Sequence, residues 1–525
     1  MKFLNTVQEN ELLRILNLIN ENEIFRIGKL FNTDLNNYFY DTGTGKVIIL
    51  DDEAFYIMNL WFSLEKTNLD DFLNTEYLKN ESLVELLDVC LSEHLLSAIK
   101  PKAFYSPYYE KDKQIEKIVN NDLNQLILEL TGKCNLRCGY CIYNEDYDKN
   151  RNFNSEDMTE EIAIKAIDYF YDHSKKDMAV TFYGGEPLLR FELLKAAIDY
   201  SLKKNQQFQK KLTFGFTTNL TLVTEKIAEY LASVPGLTIM CSIDGPEKIH
   251  NAYRKHANGE GSFKSAIDGL KLLCKAFEKK KQSAEPISIN VVVAPPYTYD
   301  KFDEINEFFS NLDFLSKNVN INISYAIDES VDEKEHLTKY IHNPKYRSSN
   351  YEDISPLWKW QTMKIKEQKK VVENSIVGNG FGRLFRLLTD RYISDKPDDI
   401  YYFNACCIPG VRRLYVNTKG EFLPCERIGT CPDIGNIDTG ISIEKIKKYY
   451  IDDYADKSIR GCSNCWSVRL CELCYAGRYD KTGLIYSKSE CESMRRLTER
   501  NLSFYHEVLE TDKDILNIIN EIEIG

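Results

Sequence analysis

The sequence contains no uninterrupted apolar run of about 18 residues, the length that a membrane-spanning helix needs, so we predict no membrane span. A signal peptide is not expected either, because Glu9 and Glu11 interrupt the place where it would need an apolar run behind basic residues. Basic residues are in the minority, with 67 Lys and Arg against 80 Asp and Glu, and a net charge of -13 argues against a nucleic-acid partner. We therefore expect a cytoplasmic protein that binds neither membrane nor nucleic acid.

The length and the cysteine content set the next expectations. A chain of 525 residues exceeds what one hydrophobic core usually supports, so two to four domains are expected. The chain contains 15 cysteines. Because a reducing cytosol disfavours disulfides, we expect these cysteines to bind metal or to take part in catalysis. Cys90, Cys241 and Cys274 stand apart and are interpreted as small buried hydrophobic residues. The other cysteines form two groups, which direct the rest of the interpretation.

Residues 1–120 are predicted to form a small α+β domain. Two apolar segments, 38–40 and 47–50, flank the Gly-containing stretch 41–45, which is typical of a hairpin. Helical patterns lie on both sides of it, around Leu12–Ile19 and Ala54–Trp61.

From about residue 121 to 325 the pattern alternates between strands and helices, which predicts a parallel sheet with helical crossovers, either open or closed as a barrel. The strands are expected at 126–128, 179–182, 212–216, 237–243, 287–293 and 319–324. Chemistry in such folds sits at the carboxyl ends of the strands. Residues 326–405 are interpreted as a charged, irregular bridge, 406–500 as a cysteine-rich domain, and 501–525 as a C-terminal segment with a helix over Ile515–Ile524.

The first cysteine group, Cys134, Cys138 and Cys141, follows the first of these strands as C-x3-C-x2-C. Three thiolates on one loop can bind three irons of a cubane cluster and leave the fourth iron open to a small molecule. A zinc site that lacks one ligand is the alternative, although structural zinc sites usually have four ligands in paired C-x2-C form.

With Tyr140 before its last cysteine, this loop resembles the signature of the radical S-adenosylmethionine superfamily. The stretch 183–187 (YGGEP) and the segment from Ser242 to Phe263 resemble further motifs of peptide-modifying members. The resemblance implies a partial (β/α)6 barrel, with a small winged-helix-like N-terminal domain and a cysteine-rich C-terminal iron–sulfur domain. It also implies that the cluster reduces S-adenosylmethionine, and that the resulting 5′-deoxyadenosyl radical removes a hydrogen atom from the substrate.

The same resemblance assigns the residues that bind S-adenosylmethionine. Its methionine amino group would meet the stretch that contains Gly184, Gly185 and Glu186, its ribose Ser242, and its carboxylate Arg254. Glycines let a backbone approach a ligand closely, and a guanidinium matches a carboxylate. Taken singly, Gly-Gly could be a turn, His250 a capping residue and Arg254 a surface charge.

The second cysteine group contains two C-x2-C pairs, Cys462/Cys465 and Cys471/Cys474, which by spacing alone would also suit a zinc ribbon. The region resembles the SPASM domain, which binds two auxiliary four-iron clusters, although only two residues precede Cys474 where the pattern has three. Carried over by position, the outer cluster would have Cys462, Cys465, Cys471 and Cys491 as ligands. The inner cluster would have Cys407, Cys425 and Cys474, with Cys406, Cys431 or no protein group as its fourth ligand.

The resemblance also suggests a substrate. Glu426 occupies the position where sulfatase-maturing relatives have an acidic base, with a solvated charge as the alternative. The whole pattern resembles thioether-forming maturases of cysteine-rich ribosomal peptides, which implies a precursor peptide with a leader and an electron donor such as flavodoxin or ferredoxin. Carbon–carbon crosslinking and anaerobic sulfatase maturation remain alternatives, as does a zinc-binding interaction protein outside this class.

Overall fold

The structure is a computed structural model that describes residues 4–74, 80–105, 112–144, 151–280, 285–294, 301–326, 355–368, 375–379, 381–402, 406–427, 431–475, 478–480, 483–484 and 487–511. In this described part of the chain, no helix combines the length and the apolar character that crossing a membrane requires.

The N-terminal region is an α+β unit, and the predicted hairpin is confirmed. Its strands are β1 (Gly28–Asn32), β2 (Asn37–Asp41) and β3 (Val47–Leu50), paired antiparallel in that order. Its helices are α1 (Thr6–Asn20), α2 (Asp52–Ser63), α3 (Leu69–Leu73) and α4 (Asn80–Ser92). Leu12, Ile15 and Trp61 pack into a core of their own, because the apolar side chains of α1 and α2 recur at helical spacing.

The centre of the molecule is a mainly parallel sheet that begins with β5 (Leu123–Thr131), preceded by β4 (Phe104–Tyr105) and α5 (Asp112–Asn121). Its other parallel strands are β6 (Ser174–Gly184), β7 (Lys211–Thr218), β8 (Leu237–Ser242), β9 (Ile287–Val293) and β10 (Asn320–Tyr325). The crossover helices are α6 (Glu160–His173), α7 (Phe191–Phe208), α8 (Glu225–Leu231), α9 (Glu247–Tyr253), α10 (Phe263–Lys280) and α11 (Phe302–Ser310). The six strands neighbour one another in chain order, as expected for successive βα units, and the predicted α/β class is confirmed.

The cysteine-rich region extends this same sheet. The first strand of the cysteine-rich region, β12 (Leu414–Val416), pairs parallel with β5. The next strand, β13 (Glu421–Leu423), pairs antiparallel with β12. Two further short strands, β14 (Gly435–Asn436) and β15 (Gly440–Ile441), complete a sheet of ten strands among the described residues. The second cysteine group is therefore joined by backbone hydrogen bonds to the strand that precedes the first.

Residues 326–405 are not irregular throughout, and that expectation is wrong for the described part. The segment contains α12 (Ser355–Gln368), α13 (Phe381–Thr389) and β11 (Tyr401–Tyr402), the last paired with β4. Helix α12 carries many charged residues, but it also has an apolar face, on which Leu357, Trp358 and Ile365 are buried. The predicted helix at 515–524 lies outside the described residues.

The C-terminal region adds a hairpin and helices. These are α14 (Ile443–Lys445), a π-helical turn (Ile446–Asp452), α15 (Asp453–Cys462), β16 (Tyr479–Asp480), β17 (Gly483–Leu484) and α16 (Lys488–Thr511). Helix α16 packs across the N-terminal sheet, where the Glu510 carboxylate accepts a hydrogen bond of 2.6 Å from the Tyr38 hydroxyl.

Candidate functional site

One cavity at the carboxyl ends of the parallel strands contains all the residues predicted for the first cluster and for S-adenosylmethionine. Its volume is about 170 Å³. The lining includes Cys134, Cys138, Cys141, Tyr140, Gly184, Gly185, Glu186, Ser242 and Arg254. Residues spread over 120 positions of sequence therefore meet because parallel strands end at the same edge of the sheet.

The cysteine loop is held in place by main-chain hydrogen bonds to the last residue of α9 and to the segment that follows it. Arg137 N donates to Lys255 O at 2.8 Å, and Gly139 N donates to Tyr253 O at 3.1 Å. These bonds use backbone atoms on both sides and fix the loop beside Arg254.

The two glycines, which line the cavity, are also required by close chain packing. Gly184 has φ +131°, and a Cβ there would lie 2.3 Å from Thr131 O. A Cβ on Gly185 would lie 2.0 Å from Lys133 O, immediately before Cys134. Both glycines therefore let the end of β6 press against the start of the cysteine loop.

Glu186 is buried and bound by its own chain. Its carboxylate accepts hydrogen bonds from Asn219 N at 2.8 Å, Thr218 Oγ1 at 2.9 Å and Leu188 N at 3.1 Å. Burial raises the pKa of Glu186, which the three donors oppose. A carboxylate has about four acceptor positions, so capacity remains for one more donor on the cavity side.

Arg254 is also buried, so it is not the surface charge that was considered. Its Nη1 donates to the Tyr140 hydroxyl at 2.9 Å, and that hydroxyl donates to Asp244 Oδ2 at 2.6 Å. Arg254 Nε has no hydrogen-bond partner within the described structure. A buried donor without a partner is costly, so the site is suited to an acceptor such as a carboxylate.

His250 supports this arrangement from behind. Its Nδ1 accepts from Asp244 N at 3.5 Å, which leaves Nε2 to donate to Ser262 Oγ at 3.1 Å. Ser262 Oγ in turn donates to Arg254 O at 2.8 Å. Burial lowers the pKa of His250 to about 2, so the ring stays neutral. Its two hydrogen bonds hold the backbone of Asp244 and the side chain of Ser262 in place.

Burial raises the pKa of all three thiols of the first cysteine group. Burial raises the pKa of Cys134 to about 11 and that of Cys138 to about 12, and it also raises the pKa of Cys141. Ligand thiols must lose their protons when metal binds, so metal uptake here would release protons.

The four cysteines predicted for the outer cluster line a second cavity. They are Cys462, Cys465, Cys471 and Cys491, which come from α15, the following loop and α16. Phe104 and Val468 form an apolar part of the wall, while Arg478 and Arg495 line it with guanidinium groups. The sequence interpretation missed both arginines.

The cysteines predicted for the inner cluster also converge. The pKa of Cys425 is raised by burial and by its neighbours Glu426, Cys407 and Cys474. Cys406 lies beside Cys474 and Cys407, whereas Cys431 lies beside Cys425 and Cys474. Both remain candidates for the fourth ligand.

Glu426 is not a solvated charge. Its side chain is 12% exposed, and Oε1 accepts a hydrogen bond of 2.7 Å from Arg413 Nη1. Oε2 is buried and has no hydrogen-bond partner among the described residues. Since Arg413 also donates to Gln125 on β5, the carboxylate is held against the inner face of the sheet.

Aromatic side chains connect Glu426 with the first cavity, and the sequence interpretation missed them. Tyr143 and Tyr183 line that cavity. Burial raises the pKa of Tyr183 to about 12, and the carboxylate of Glu426 adds to this shift. The ring of Tyr415, 6.4 Å from that of Tyr183, extends the contact onto β12. Glu426 is therefore close to Tyr183 in the cavity wall and adjacent in sequence to Cys425.

Among the described residues, no three His, Cys, Asp or Glu side chains lie close enough together to hold a single metal ion. A single zinc ion draws four sulfurs to about 2.3 Å from one centre. A cubane instead binds each thiolate at a different iron, so its cysteine ligands do not meet at one point. Cysteines spaced around a cavity are therefore the arrangement expected for a cubane.

A family model described as the radical SAM superfamily matches residues 128–309. These residues extend from β5 into α11 and include the cysteine loop, Glu186, Ser242 and Arg254.

Two related proteins align with this chain over most of their own length. The chain is 31% identical to an uncharacterized protein of Methanocaldococcus jannaschii, over 62% of this chain and 93% of that protein. It is 23% identical to the radical SAM cyclopropyl synthase TigE of Paramaledivibacter caminithermalis, over 89% of this chain and 94% of that protein.

Among solved structures, anSMEcpe with bound AdoMet has a TM-score of 0.52 at 21% identity, covering 76% of this chain and 96% of that one. This likeness concerns the fold.

Proposed function

Because the chain belongs to the radical S-adenosylmethionine superfamily of enzymes, we propose that it matures a ribosomally made, cysteine-rich precursor peptide by installing a thioether crosslink. The observation that carries this proposal is that Glu426, adjacent to Cys425 of the inner group, also acts on Tyr183 in the wall of the first cavity. A substrate side chain near Tyr183 would then lie near a radical source, a carboxylate and a second group of thiolates.

The residues of the first cavity fit the two cofactors that this superfamily uses. Cys134, Cys138 and Cys141 would hold a four-iron cluster, and Arg254 Nε would donate to the methionine carboxylate of S-adenosylmethionine. When bound, the two supply a carbon radical that removes a hydrogen atom from the substrate. The outer and inner cysteine groups would hold two auxiliary clusters, which can supply an electron acceptor.

Thioether formation replaces a C–H and an S–H bond with a C–S bond, so one proton and one electron must leave in addition to the abstracted hydrogen atom. Glu426 Oε2 is the acceptor we assign to that proton, since it is buried and has no partner of its own among the described residues. Arg413 holds the carboxylate in position through its hydrogen bond to Oε1.

The names of two relatives bear on the substrate and on the bond formed. TigE is named a cyclopropyl synthase, and the other relative is named for the maturation of a protein, a sulfatase. A cysteine-type anaerobic sulfatase-maturating enzyme of Clostridium novyi is 24% identical over 73% of this chain and 96% of that protein. The long alignment with TigE favours carbon–carbon bond formation as a second candidate.

The N-terminal region would bind the leader of the precursor. Within the described residues β3 is an edge strand, whereas α16 covers β1 at the other edge. An extended leader could pair with β3 through main-chain hydrogen bonds. Ile49 on this strand is 60% exposed and offers an apolar contact. Ile49→Asp should weaken leader binding, whereas Leu35→Asp, at an equally exposed position on the β1–β2 turn, should not.

Metal analysis and cofactor cleavage test the enzyme assignment. Anaerobically reconstituted protein should contain about twelve irons per chain with matching sulfide, and after reduction it should cleave S-adenosylmethionine to 5′-deoxyadenosine. A Cys134→Ala/Cys138→Ala/Cys141→Ala variant should lose about four irons and all cleavage. Zinc in place of iron would contradict the proposal.

Mass spectrometry of a treated peptide tests the bond. A thioether requires the loss of two hydrogen atoms together with a cysteine that resists alkylation. The same mass loss with every thiol still free would instead favour carbon–carbon bond formation. Glu426→Gln should retain cofactor cleavage but lose most of the crosslinked product, and retention of full crosslinking would exclude Glu426 as the proton acceptor.

A further inference from the structure

The lining of the outer cysteine cavity combines apolar and cationic side chains. Phe104 and Val468 pack together with the partly buried Cys462 and Cys465. Arg478 and Arg495 line the same cavity. An apolar wall excludes water, whereas a guanidinium brings a fixed positive charge.

Both arginines direct an N–H group at a ligand sulfur. Arg478 Nη2 lies 4.0 Å from Cys462 Sγ, and Arg495 Nη1 lies 4.0 Å from Cys465 Sγ. Arg478 is only 4% exposed, so its charge is poorly screened by solvent. An arginine guanidinium stays charged in proteins, so the positive charge is permanent.

We propose that Arg478 and Arg495 set the reduction potential of the outer cluster and make it the final electron acceptor within the chain. This inference rests on the proposed auxiliary cluster. A four-iron cluster with four thiolate ligands is an anion, and one-electron reduction makes it more negative. Nearby positive charge and N–H donors stabilise the reduced form and raise its potential.

The charges around the described residues of the inner group differ. Arg412 and Arg413 act on Cys407, but Arg413 is paired with the carboxylate of Glu426, which lies next to Cys425. The negative charge of Glu426 offsets the positive charge of Arg413, so we expect the reduced inner cluster to be stabilised less than the reduced outer one. An electron that leaves the substrate would therefore move outward, from the inner cluster to the outer one.

The test is a redox titration followed by electron paramagnetic resonance. The Cys134→Ala/Cys138→Ala/Cys141→Ala protein serves as background, because only the auxiliary clusters then contribute. Arg478→Gln and Arg495→Gln should each shift one of the two midpoint potentials to more negative values and leave the other in place. Arg478→Lys keeps the charge and should restore most of the shift. Arg460→Gln, an exposed position on the same helix as Cys462, should change neither potential.

The outcomes separate this inference from the proposed function. Unchanged midpoints in both glutamine variants, at wild-type iron content, would overturn it. If Arg478→Gln fails to take up iron, the less buried Arg495→Gln decides the question alone. A background protein without any auxiliary cluster signal would instead remove the proposed function itself.

Discussion

The hydroxyl of Tyr140 donates a 2.6 Å hydrogen bond to the carboxylate of Asp244, and so joins the cysteine loop to the end of β8. The same hydroxyl accepts from Arg254 at 2.9 Å. Tyr140 thus connects the carboxylate of Asp244 with the guanidinium of Arg254. Without this connection, the two buried charges would be poorly compensated.

Tyr140→Phe should therefore lower the free energy of unfolding by about 1–3 kcal/mol, because a buried acceptor and a buried donor lose their shared partner. It should also weaken S-adenosylmethionine binding, since Arg254 would turn towards Asp244. Thermal unfolding and equilibrium binding measure the two effects. Tyr392→Phe, at a side chain that is 65% exposed, is the control and should change neither.

Gly185→Ala should displace the cysteine loop, because the new Cβ would meet the main chain 2.0 Å away at Lys133 O. We expect loss of about four irons per chain and of cofactor cleavage, measured on reconstituted protein. Gly215→Ala on β7 is the matched control, since its Cβ would meet its nearest neighbour at 3.4 Å. Full iron in the Gly185 variant would contradict the packing argument.

His250 should make the protein less stable in acid. Its pKa is about 2 in the folded chain and about 6.5 when unfolded, so below pH 6.5 the unfolded chain binds the extra proton. Stability should thus fall by about 2 kcal/mol between pH 7 and pH 5 on account of this residue. His250→Gln should remove that part of the slope in denaturant titrations, whereas His256→Gln should leave it in place.

Thr42 connects the N-terminal sheet to the outer cysteine loop, because its hydroxyl donates to Trp466 O at 2.8 Å. Thr42→Val keeps the shape and leaves that carbonyl without this donor, so we expect a loss of about 1–3 kcal/mol. Hydrogen exchange should increase around residues 462–471. An unchanged exchange rate there would mean that the contact does not stabilise the loop.

The strands and helices of residues 121–325 were predictable because apolar runs of strand length alternate with helical patterns. The cysteines were predictable as two groups, since soft ligands at fixed short spacings point to metal. Helix α12 was missed because its lysines hide the buried face of Leu357 and Ile365. The close contact of Gly185 with Lys133 was not predictable, because the two residues lie far apart in sequence.

The sequence by itself determined the α/β class and the C-x3-C-x2-C loop, because these depend on local periodicity and spacing. Only the tertiary structure decided that Arg254 is buried beside Tyr140, that Glu426 is paired with Arg413, and that two arginines line the outer cavity. Burial and charge pairing join segments distant along the chain, and no local pattern of residues encodes them.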